Sequence, residues 1–73
     1  MMTDSIIVRV ARALAACHGT DNWIAHIPSA RAAVAAMREP TVDMLNAATR
    51  ELPDWGDLPE EWAAMIDQAM REP

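Results

Sequence analysis

Apolar residues recur along this chain at helical spacing, and polar punctuation cuts the pattern into four pieces. Over residues 4–17 the positions Ile6, Ile7, Val10, Leu14 and Cys17 form a stripe, with Arg9 and Arg12 on the other side. Thr3 or Asp4 is the expected N-cap, and Gly19 the left-handed stop. From Thr20 to Pro28 there is room for about one helical turn, whose Trp23 and Ile27 are predicted to plug one end of the core. A second helix is predicted from Pro28 or Ser29 to about Arg38, with Ala30, Ala33, Val34 and Met37 inward and Arg31 and Arg38 outward. Pro40 ends it, because proline disfavours helical geometry at Glu39 and has no N–H to donate. Thr41 then caps a third helix, Val42 to Glu51, with Asp43 in its first turn and Met44, Leu45 and Ala48 buried. Residues 52–57 read as a turn. Asp57, with Pro59 and Glu60 at capping-box spacing, opens a fourth helix to about Arg71. Its inward stripe is Trp62, Met65, Ile66 and Ala69, with Met70 at the margin. No segment alternates as a strand does. The prediction is one all-α domain over residues 1–73, a small bundle or orthogonal array of four short helices.

Composition narrows this picture. A 73-residue chain buries only roughly 60% of its unfolded surface. Phe and Tyr are absent and alanine dominates, so core volume comes from Ile, Leu, Val, Met and three tryptophans. Such helices bury modest area, which predicts self-association into a homodimer. The lone Cys17 excludes an internal disulfide and points to a cytoplasmic setting. No stretch approaches the ~18 apolar residues of a membrane span, and the start lacks a signal peptide's basic segment and long apolar run.

Three blocks carry a resemblance: Ala30-Arg31-Ala32-Ala33-Val34-Ala35-Ala36-Met37, the break Arg38-Glu39-Pro40-Thr41 followed by Met44, and Trp62-Ala63-Ala64-Met65-Ile66-Asp67-Gln68-Ala69. Together with Val10-Ala11-Arg12-Ala13-Leu14 and His18-Gly19, they resemble short uncharacterised proteins encoded by phages and prophages of high-GC bacteria, alphaproteobacteria in particular. The resemblance implies an origin and brings no activity with it. Residues 20–28 and 52–58 lie outside it. The absence of lysine, with arginine as the only strong cation, suits a high-GC coding sequence.

Charge is divided unevenly. Residues 1–38 carry two acids against four arginines, and residues 39–73 nine acids against two. The acidic half suits a basic surface on a host or phage protein. The plainer reading is a solvated face with acids at helix starts. A net charge of −5 and scattered arginines disfavour nucleic acid as a partner.

Catalytic and metal chemistry is thinly represented. Cys17 and His18 are neighbours, and adjacent helical positions diverge by about 100°, so they make no nucleophile–base pair. Cys17 reads as a small core residue and His18 as a C-terminal cap. His26 faces Trp23 or solvent. Asp57, Glu60 and Glu61 are the expected chemistry of a helix start, and Gly19 and Gly56 are too isolated to cradle a phosphate. The chain is therefore expected to have no catalytic residues, metal or cofactor.

Trp62 reads as core. Trp55 either covers one end of the bundle or serves as an interface anchor beside acids, and Trp23 carries the same two readings. The partner-binding candidates are Asp54, Trp55, Asp57, Glu60 and Glu61. The expected function is a non-enzymatic accessory protein, one form of it an inhibitor of a host nucleic-acid-handling or antiviral defence system. The alternatives are a helix-turn-helix-like DNA-associated regulator and a structural assembly component.

Overall fold

A computed structural model describes residues 5–50 and 52–72, and the elements follow the predicted order. They are α1 (Ile6–Cys17), a 3₁₀ turn (Trp23–His26), α2 (Ile27–Ala36), α3 (Val42–Thr49) and α4 (Leu58–Arg71), with no strand among the described residues. The fold is all-α, as predicted.

Helix ends follow local chemistry. Ser5 caps α1, its hydroxyl accepting from the Val8 N–H at 3.2 Å, while Thr3 and Asp4 lie outside the described residues. At the other end Gly19 takes φ +70. The Thr20 N–H reaches the Ala15 carbonyl (3.0 Å) and the Gly19 N–H that of Ala16 (3.1 Å), the paired bonds of a Schellman stop. The second helix runs on directly from the 3₁₀ turn. It stops at Ala36 because Met37 and Arg38 donate to the carbonyls of Val34 and Ala35, three residues back. Thr41 caps α3 as expected, accepting from the Met44 N–H at 3.1 Å. Glu51, the predicted end of this helix, lies outside the described residues.

Asp57 corrects one expectation. It stands at the N-cap position of α4, yet its backbone sits at φ −93, ψ 10 and its side chain makes no capping bond. A side-chain cap needs extended backbone at that residue, which Asp57 lacks.

The core is Ile7 and Ala11 from α1, Ala30 and Val34 from α2, and Ile66 and Ala69 from α4. Val10, Leu14, Trp23, Ile27, Trp62 and Met70 close around it, so Trp23 and Ile27 plug the core as predicted. The buried arc of α1 is centred on Ile7, Ala11 and Ala15, all at most 1% exposed. Cys17 falls at about 280° from Ile7 on the helical wheel, outside that arc, and is exposed rather than core. Ile6 lies outside it for the same reason. On α2, Ala33 and Met37 also prove exposed.

Polar bonds tie α2 and α4 together in antiparallel sense. Arg31 donates to the Met70 carbonyl (2.7 Å), an orphan acceptor in the last turn of α4. Arg31 is thus half-buried and structural, not outward as its position predicts. At the far end the Trp62 indole N–H meets the Met37 carbonyl at 2.6 Å. Beside it, Arg38 forks onto Asp67 with bonds of 2.8 and 3.0 Å.

The third helix stands apart. It contributes nothing to the core cluster and packs only weakly on the other elements. Leu45 and Thr49 are its buried residues, and the Thr49 hydroxyl turns back to the Leu45 carbonyl at 2.8 Å. Met44 (43% exposed) and Ala48 are therefore surface, not core. The radius of gyration, 14.7 Å, exceeds the ~11 Å of a compact chain of this length, and the molecule measures 45 × 24 × 22 Å.

Candidate functional site: an uncovered apolar groove

With α3 held off the core, an apolar groove of about 130 Å³ opens between it and the start of α4. Pro40, Met44, Leu45, Ala48, Leu58 and Trp62 line it. Each side has a local cause. Capping by Thr41 starts α3 so that Met44, Leu45 and Ala48 share one face at helical spacing. Leu58 and Trp62 are four apart on α4, and the Trp62 indole is pinned by its bond to the Met37 carbonyl. Met65 (58% exposed) continues this face of α4 towards solvent, so it is not part of the inward stripe.

Among the described residues no acid lines this groove. Four exposed acids, Glu39, Asp43, Asp57 and Glu61, each stand next to a lining residue in sequence. Arg38, the cation beside Glu39, is committed to Asp67. That bond holds the Asp67 carboxyl below its ordinary range, chiefly through hydrogen bonding from the guanidinium, and raises Arg38 for the same reason.

The five predicted partner-binding residues are all exposed and all fall between the end of α3 and the first turn of α4. They do not converge on one point. The Asp54 carboxylate accepts from the Gly56 N–H (2.9 Å), shaping a tight turn in which Gly56 takes φ +56. Trp55, 37% exposed, donates its indole N–H to the Asn46 side chain at 3.1 Å. It leans on α3 beside Asn46 and is not among the groove's lining residues. Glu60 points instead into a shallow depression shared with Arg38, Glu39, Pro40, Pro59 and Ala63. Of the five, only Asp57 and Glu61 neighbour a lining residue in sequence, and none of them lines the groove.

Sequence reasoning missed Pro40 and Ala48 as site residues and read Leu45 and Trp62 as core only. Met44 and Ala48 have helical spacing and so read as core. The available signal was brevity: an eight-residue helix between two proline-flanked turns has little surface with which to hold itself down.

Fold and groove together define a small all-α protein with one thinly packed helix beside an open apolar site. No protein-family model, curated protein or solved structure matches the chain.

Proposed function

We propose that this chain is a non-enzymatic binding module whose α3–α4 groove receives one bulky apolar side chain from a basic segment of a host or phage protein. The observation that carries the reading is the groove, apolar along its lining, in the acidic half of the chain, where four exposed acids neighbour lining residues in sequence. Its volume is close to the ~150 Å³ of engineered cavities that hold benzene, so one Leu, Met or Phe side chain is the matching anchor. Lys or Arg in the same segment would meet the negative charge of this acidic half, which favours encounter and register more than raw affinity. Trp55 and the acids at 54 and 60, outside the groove's lining, add secondary contacts in this reading. A phage accessory role, inhibition of a defence system included, belongs to this proposal and draws its support from the resemblance and the acidic half.

Ala48→Phe tests it directly. Ala48 is exposed, so the ring fills the groove without disturbing the core. Capture of a host protein by the tagged chain is expected to be lost in this variant and weakened when Asp54, Asp57, Glu60 and Glu61 become serine. Undiminished capture by Ala48→Phe would sink the groove as the binding surface.

A further inference from the structure

At the opposite end of the core the Schellman stop folds residues 19–22 back across the end of α1, with the Thr20 hydroxyl accepting from the Asn22 N–H at 3.1 Å. This return brings His18, the C-cap of α1, beside His26, the last residue of the 3₁₀ turn. Their ring centres lie 5.3 Å apart, with the planes tilted by 31°.

We infer that His18 and His26 form a two-imidazole site for a divalent transition-metal ion such as zinc or nickel. Three observations support it. First, two imidazoles on one tetrahedral ion, each at ~2.0–2.1 Å, have ring centres roughly 5 Å apart, close to the observed spacing. Second, His26 Nδ1 lies 3.2 Å from the Asn22 carbonyl. A carbonyl oxygen only accepts, so Nδ1 carries the proton and the neutral ring presents the Nε2 lone pair. The same outer hydrogen bond orients most metal-binding histidines. Third, His18 stands at the C-terminal, electronegative end of α1, where added positive charge is favoured. No group of three or more His, Cys, Asp or Glu side chains gathers here or elsewhere among the described residues, so water completes the ion's shell. The bound ion would staple the end of α1 to the 3₁₀ turn that carries Trp23.

Calorimetric titration of the untagged chain with Zn²⁺, and separately with Ni²⁺, tests the site. One saturable equivalent is expected, together with a rise in the thermal midpoint. His18→Gln and His26→Gln are each expected to weaken binding by about tenfold or more, with helical circular dichroism unchanged. Neither ring belongs to the core cluster, so both variants should fold. Failure to saturate at millimolar metal would overturn the assignment. So would binding that survives both histidine variants and is lost in Cys17→Ser, since the ion would then belong to the exposed thiol.

Discussion

Alanine does two opposite jobs in this chain, and single residues show which. Ala11 and Ala30 are 0% exposed and let α1 and α2 approach closely, whereas Ala48 sits on the rim of an open groove. A larger side chain at Ala30 has no room. Ala30→Leu is expected to destabilise the fold by ~1–3 kcal/mol, read as a lower urea midpoint. Ala48→Phe should leave that midpoint unchanged. Gly19 is a different case. A Cβ there meets nothing within 4 Å, so the cost of Gly19→Ala is backbone alone, about 1–2 kcal/mol for a left-handed residue. Asparagine, which tolerates that region better, should cost less. Hydropathy separates none of these alanines, which is why the stripe of α1 reads as Ile6, Ile7, Val10, Leu14 and Cys17 when its buried arc is Ile7, Ala11 and Ala15. A small side chain declares its burial only through what packs on it.

Among the elements, α3 is the weak member, and its cap decides how weak. Thr41→Ala removes the bond to the Met44 N–H, worth about 1 kcal/mol in a typical helix. Because α3 contributes nothing to the core cluster, the loss should stay local. Amide exchange is expected to quicken across Val42–Thr49 while α1, α2 and α4 keep their protection. A uniform loss of protection would mean that α3 is part of the cooperative core after all. Helix existence, order and joints were legible, since Gly19, Pro40, Thr41 and the 52–57 turn each leave a local chemical signature. The groove was not. It depends on how far α3 stands from α4, and a periodic stripe such as Met44, Leu45 and Ala48 looks the same whether or not another helix covers it. Polar cross-links were hidden for a related reason: Arg31 meets a carbonyl 39 positions away, and no local pattern announces that partner.

For the molecule as a whole, the small core leaves α2 and α4 leaning on their polar clamp, and this makes stability sensitive to acid. Asp67 accepts both bonds of the Arg38 fork, which lowers its folded pKa below the ordinary carboxylate value. A carboxyl depressed in the folded state binds fewer protons there than in the unfolded chain at intermediate acidity. Its contribution is therefore present in full above the unfolded value and is lost as pH falls through the lower folded one. Asp67→Asn has no charge to titrate, so the wild-type chain should be the more stable near neutrality and the two midpoints should converge with acid. Both side chains are substantially exposed, at 56% for Arg38 and 41% for Asp67, so the difference must also shrink in molar salt. Chemical denaturation of the two chains, run from neutral pH down through the carboxylate range, reads this as a difference that cancels the other ten acids. A gap independent of both pH and salt would instead assign Asp67 to packing, and the clamp would then rest on Arg31 and Trp62 alone.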